Sequence, residues 1–187
     1  IVYNTNAYDS VEVLRLLEGI VDVYLPDLKY ADDAAGWLYS KIPDYSVRSR
    51  AALIEMHRQM GSSLTYGEDG LLKRGLLVRM LVLPNGVAKV SESLQWIAET
   101  LSPRVAISLM SQYYAVHRAQ NDARYAALNR SITAQEWEEA LAGLEANGLS
   151  EGFQQELETA NRYYRPDFRD RETPFQDIRD FARGAGG

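Results

Sequence analysis

The residues of the sequence best placed to do chemistry together are Asp27 and Lys29, in the stretch V21-D22-V23-Y24-L25-P26-D27-L28-K29-Y30. In an extended chain alternate side chains share a face, so Val21, Val23, Leu25, Asp27 and Lys29 form one track. That track is apolar until its last two members. Pro26 cannot donate a ladder hydrogen bond, which suits the end of a strand. A carboxylate and an ammonium at the C-terminal end of a buried strand mark the mouth of a parallel α/β sheet or barrel, where ligands sit. Two interpretations stay open. One is a solvated salt bridge, which contributes little. The other is a ligand clamp, with Lys29 donating to a carboxylate or ribose hydroxyl and Asp27 accepting from an amine or hydroxyl.

Arg79 is a sharper signal. It lies inside L76-L77-V78-R79-M80-L81-V82-L83-P84, with Leu77, Leu81 and Leu83 on its own face and Val78, Met80 and Val82 on the other. A guanidinium in such a run needs a partner, because burying an uncompensated charge is costly. The partner is either Asp27, in a structural ion pair, or a ligand carboxylate held bidentately in a polar cavity. The cavity is favoured, since an apolar helix-facing surface offers arginine nothing. N4-T5-N6 follows the first strand and is either turn chemistry or part of the mouth. S108-L109-M110-S111-Q112-Y113-Y114 ends a later strand with Gln112 and two tyrosines, which more often belong to a core or rim than to a substrate stack. His57 lies among helical residues and packs or caps. His117 follows the last strand closely enough to line a cleft.

The elements that must position these residues alternate strand and helix over about the first 110 positions. Strands are expected near 1–4, over the opening stretch, at 76–84 and at 105–110. Asp9 or Ser10 caps a helix with a stripe of Val11, Val13, Leu14 and Leu17, ending at Gly19. Residues 31–60 are helical material broken at Pro43-Asp44, 61–70 form a loop or small hairpin, and Ser91–Leu101 is a helix. Thr133 and Glu136 form a capping box for a helix that stops at Gly148. The chain is polar and arginine-rich from Ser150, which places that part outside the sheet. Four strands separated by helices imply a parallel sheet with crossovers of one hand. Four units cannot close a barrel, and the first strand begins at Ile1, with no initiating methionine. The expectation is an α/β partial barrel, half of a larger one.

The bulk composition agrees with one compact domain plus a tail: 187 residues, 46% of them hydrophobic. There are 20 basic against 26 acidic residues, a net charge of −6, and no basic block. Nucleic acid and anionic membranes are therefore not expected partners. No run is apolar enough to span a bilayer and no signal sequence is apparent, so a cytoplasmic location is expected. With no cysteine, the chain has no disulfide, thiol nucleophile or thiolate metal site, and neither histidine has metal-ligand spacing.

Taken in order, Y3-N4-T5-N6-A7-Y8, D22-V23-Y24-L25-P26-D27-L28-K29-Y30, M56-H57-R58-Q59, K73-R74-G75-L76-L77-V78-R79-M80-L81-V82-L83-P84 and L109-M110-S111-Q112-Y113-Y114 resemble the radical S-adenosylmethionine (SAM) superfamily. The resemblance is to the C-terminal half of PflX-type proteins, relatives of the pyruvate formate-lyase activating enzymes. It covers about residues 1–130, as the second half of the barrel, with 131–187 as a C-terminal helix and polar tail. The resemblance implies that the four strands are the third to sixth of a (β/α)6 barrel. It implies a SAM site containing Asp27, Lys29, Arg79, Leu81 and Asn6, with Gln112 or Tyr113 where the activating enzymes place a histidine by the adenine. Ala7 stands where a glycine usually follows Asn6. The [4Fe-4S] cluster and the Gly-Gly-Glu-Pro stretch of such enzymes would lie before Ile1. The implied activity is hydrogen abstraction through a 5′-deoxyadenosyl radical, with a glycyl-radical or other protein as substrate. Two other classes fit the residues: a Schiff-base lyase using Lys29, and a non-catalytic half-barrel that docks on a partner.

Overall fold

A computed structural model describes residues 1–157 of the chain. Its strands are β1 (Val2–Thr5), β2 (Val23–Pro26), β3 (Thr65–Tyr66), β4 (Leu72–Leu81), β5 (Ala106–Met110) and β6 (Gly152–Gln154). The helices are α1 (Val11–Leu16), α2 (Asp33–Ala35), α3 (Tyr45–Met60), α4 (Val90–Thr100), α5 (Arg118–Asn121) and α6 (Ala134–Ala146). The sheet runs β1-β2-β4-β5-β6, every neighbouring pair parallel, and β3 pairs antiparallel with β4 as a small hairpin.

The α/β class and the parallel sheet are as expected, and the sheet is open. The number of parallel strands is five, not four. The fifth is β6, inside the segment expected to lie off the sheet. It is short and its side chains are exposed, so no hydrophobic alternation marks it. The backbone of Ile107 and Leu109 makes the pairing, with Ile107 N–H bonding to Glu151 O at 3.0 Å and Gln155 N–H to Leu109 O at 3.2 Å. The polar tail beyond residue 157 lies outside the described residues.

The two faces of the sheet are unequal. On one face Tyr24, Leu76, Val78, Met80, Ile107 and Leu109 are at most 2% exposed. A spatial strand order that follows chain order, with crossovers of one hand, puts the connecting helices on one side, and these side chains lie beneath them. Leu14 of α1, Leu53 and Met56 of α3 and Leu94 and Ile97 of α4 complete that core. α6 packs over α4 and adds Trp137, Ala140 and Leu144. Gly143 permits the approach: a Cβ there would lie 3.1 Å from Ser91 Oγ and 3.2 Å from Leu94 Cδ1. The other face carries Asn4, Leu25, Arg79, Leu81, Ser108 and Met110, all exposed or half-buried. The expected caps form, with Ser10 Oγ accepting from Val13 N–H and a full capping box between Thr133 and Glu136.

Candidate ligand site

At the C-terminal ends of the parallel strands, on the face away from the helices, four side chains meet. Asp27 and Arg79 are register partners just past the β2–β4 ladder. Arg79 Nε donates to Asp27 Oδ1 at 2.7 Å, and Nη2 lies 2.6 Å from the same oxygen. Arg79 Nη2 also donates to Asn4 Oδ1 of β1 at 2.9 Å. Lys29 Nζ donates to Asp27 Oδ2 at 2.9 Å. Both oxygens of Asp27 are therefore engaged. Two cations against one carboxylate leave one positive charge in excess. The side chains of Arg79 and Asp27 are 26% and 23% exposed, so the pair is screened less than a surface bridge, while Lys29 at 43% is solvated.

Of the two candidate roles of Arg79, the structure shows the ion pair with Asp27. Arg79 also points into the open face with Leu81 beside it on the same strand face. Leu81 pairs with Met110 of β5, and Arg79 with Ser108, giving the charged cluster an apolar flank.

Asn6 is not a direct member of the cluster. Its Oδ1 accepts from Tyr8 N–H at 3.0 Å in a local turn, and its carbonyl reaches the site through Tyr45. Ala7 takes the left-handed conformation, φ 63°, which is the backbone a glycine would adopt freely. Gln112 lies past the end of β5 and turns toward β6, its Oε1 accepting from Gln155 Nε2 at 3.3 Å. Tyr113 donates to Leu128 O at 2.7 Å. Neither is bonded to the Asp27–Arg79 cluster.

One contributor was expected only as part of N4-T5-N6, and another was not singled out from sequence. Asn4 shares the face of Asn6 along β1, but its contact with Arg79 depends on strand register. Tyr45, 1% exposed, accepts from Lys29 N–H at 2.8 Å and bonds to the carbonyls of Asp27 and Asn6, both at 3.1 Å. One hydroxyl joins the ends of β1 and β2. Burial pushes its pKa up, so it stays neutral. A tyrosine opening a helix after Pro43-Asp44 carries no sequence signal for that role.

Other quoted stretches have structural roles. In M56-H57-R58-Q59, Met56 is core, and His57 Nε2 bonds to Ser62 Oγ at 2.8 Å, burial pulling its pKa down. Arg58 donates to Glu55 and Glu18, and Gln59 donates to Glu55 and to Leu14 O while accepting from Tyr24 OH. This network ties α1, β2 and α3 together. Past β4, Asn85 is held by Glu136 and Ala127, and Arg130 binds Asn85 and both oxygens of Glu136. That clasp fixes the β4–α4 connection onto α6.

Among curated proteins, the chain is 30% identical over 143 residues, 75% of its length, to an uncharacterized protein of Methanocaldococcus jannaschii, MJ0674. The match spans 36% of that protein. No family model matches the chain, and no solved structure matches it.

Proposed function

We propose that this chain is the SAM-binding, substrate-facing half of a radical SAM enzyme of activating-enzyme type. The observation that carries the proposal is the Asp27–Lys29–Arg79–Asn4 cluster, at the C-terminal strand ends and on the face opposite the helices. The donor set suits a zwitterionic amino-acid ligand with hydroxyls. Arg79 and the remaining protons of Lys29 would take the carboxylate, Asn4 and Asp27 would meet amine or hydroxyl groups, and Leu81 and Met110 would lie against an apolar part. SAM, when bound, supplies the reactive deoxyadenosyl group. The iron–sulfur cluster is different. With no cysteine, these 187 residues have no thiolate to hold it, and no step is derived through it. In the proposed longer protein its ligands lie outside this chain, and a glycyl-radical or other protein is the substrate.

Titrating SAM into the chain, followed by calorimetry, tests the reading. Weak but saturable binding is expected, lost in Arg79→Ala and reduced in Lys29→Ala. Binding that is unchanged by Arg79→Ala sinks it.

A non-catalytic docking role is the second reading, favoured by the outer edge of β1, which has no strand partner among the described residues. The lyase alternative finds less support. A Schiff-base lysine works from an apolar pocket, whereas Lys29 is solvated and ion-paired.

A further inference from the structure

Away from the Asp27–Arg79 cluster, a cleft of about 400 Å3 opens between two connections on the C-terminal side of the sheet. One wall is the helical turn after β2, ending in Tyr39 and Lys41. The other is the segment after β5, with His117 and Arg118, and Tyr125 and Leu128 close the far end. We propose that this cleft binds a small organic anion, a phosphate or carboxylate carried on a single planar ring system.

Three observations converge on that class. First, Lys41, His117 and Arg118 line the cleft together, and none of its lining residues is acidic. Asp122 is a nearby carboxylate, and its field reaches Arg118, but both of its oxygens accept from Arg124. The His117 side chain makes no hydrogen bond among the described residues, and Lys41 Nζ donates to Leu38 O, at 3.1 Å, and lies 6.0 Å from the Trp37 ring centroid. Donor capacity for an anion is thus unused.

Second, Tyr39 and Tyr125 meet at 6.1 Å between ring centroids and 45° between planes. Tyr125 is buried and Tyr39 half-buried, so the Tyr39 ring is the aromatic surface available to a planar group. Tyr39 stacks in turn on Tyr30, and Tyr30 lies edge-on to Tyr45, so the wall is rigidly backed by the core. Third, Lys41 (φ 58°) and His117 (φ 51°) both hold the positive-φ backbone that side-chain-bearing residues seldom adopt, one on each wall. The volume sets the size. Ligand pockets run from roughly 300 to 1,000 Å3, and this one falls near the bottom, enough for a mononucleotide-sized molecule and too little for a dinucleotide.

The test is an NMR titration of the isotope-labelled chain with adenosine monophosphate, inorganic phosphate and adenosine as separate probes. Adenosine monophosphate is expected to give saturable shifts at Tyr39–Lys41, His117–Ala119 and Tyr125. Phosphate should shift Lys41, His117 and Arg118 more weakly, and adenosine should bind least. The exposed double substitution Lys41→Ser with Arg118→Gln should weaken adenosine monophosphate by about tenfold or more, a loss of ~1.4 kcal/mol or more, while the spectrum keeps its native dispersion. Adenosine binding as tightly as its monophosphate, an unweakened double variant, or shifts confined to Lys29 and Arg79 would each overturn the proposal. The last outcome would leave the SAM reading standing, and loss of SAM binding in Arg79→Ala with the cleft shifts intact would separate the two the other way.

Discussion

The hydroxyl of Tyr45 is the point from which the charged cluster is held, because it touches backbone on both sides of it. Tyr45→Phe removes the acceptor of Lys29 N–H and a donor shared by two carbonyls, in a place water does not reach. Leaving such groups unpaired costs about 2 kcal/mol, or ~4–8 °C in Tm for a chain of this size. The proposed SAM binding should also weaken, since Asp27 and Lys29 lose their fixed spacing. Unchanged melting would show that the hydroxyl positions nothing. Glu55 tests the second residue-scale network by pH. It is buried, yet the hydrogen bonds from Arg58 bring its pKa from 4.5 down to about 2. A carboxylate depressed in the folded state stabilises fully above its unfolded value near 4.5, and that contribution drains away as pH falls toward 2. Glu136, held to about 2 by Arg130, adds to the same window. Acid unfolding should therefore steepen below pH 4.5, and Glu55→Gln should lower stability at neutral pH while flattening the acid limb. A variant whose acid limb matches the parent would remove Glu55 from the account. At this scale the sequence disclosed more charges than partners. Asp27, Lys29 and Arg79 could be named from alternation, with Asp27 one of two candidate partners of Arg79. Asn4 lay within the N4-T5-N6 stretch, but its bond to Arg79 depends on register, and Tyr45 enters only through a long-range contact.

Among the elements, β6 is the one whose existence rests on a single backbone approach. Gly152 sits with φ 119° directly against Ile107, and a Cβ there would collide with the Ile107 carbonyl oxygen and lie 2.6 Å from its nitrogen. Gly152→Ala must displace β6, costing about 1–3 kcal/mol by overpacking and backbone strain. Amide exchange at Ile107 and Gln155, whose N–H groups make the β5–β6 bonds, should speed up more than at Val78 in the sheet centre. Equal protection in both proteins would mean that β6 is not held this way. The contrast with β4 explains what a sequence can disclose. L76-L77-V78-R79-M80-L81 announces a strand because its own side chains carry burial, although Arg79 and Leu81 face the open side and are only half-buried. G152-F153-Q154 has no such pattern, with Phe153 53% exposed, and becomes a strand only because β5 has a free edge beside it. α1 misleads for a related reason. Of its expected stripe only Leu14 is fully buried, and Val13 is 49% exposed, because α1 lies at the end of the sheet and packs chiefly on α3 among the described helices.

For the molecule as a whole, that end of the sheet is the exposed flank. β1 is an edge strand with no strand partner on its outer side among the described residues, and it and α1 leave Ile1, Val2, Val13, Leu16 and Ile20 between 49% and 77% exposed. An edge offering unpaired N–H and C=O groups beside apolar side chains is a template for another strand. If the chain is half of a longer barrel, as proposed, that flank is where further strands would pair, and the isolated chain presents it bare. Sedimentation should then show association that grows with concentration, accompanied by binding of a hydrophobic dye. Val2→Lys, pointing a charge out from the edge strand, should suppress both without lowering Tm appreciably, because Val2 is 61% exposed and contributes little to the core. Leu16→Glu, on the exposed side of α1, should add to the effect if strand and helix form one surface. The opposite substitution on the far edge, Phe153→Lys on β6, serves as the control and should leave association unchanged. A chain that stays monomeric at every concentration and ignores the dye would show that the β1 flank needs no cover. The half-barrel account would then lose its physical basis, since an open core flank is what distinguishes a fragment from a finished domain.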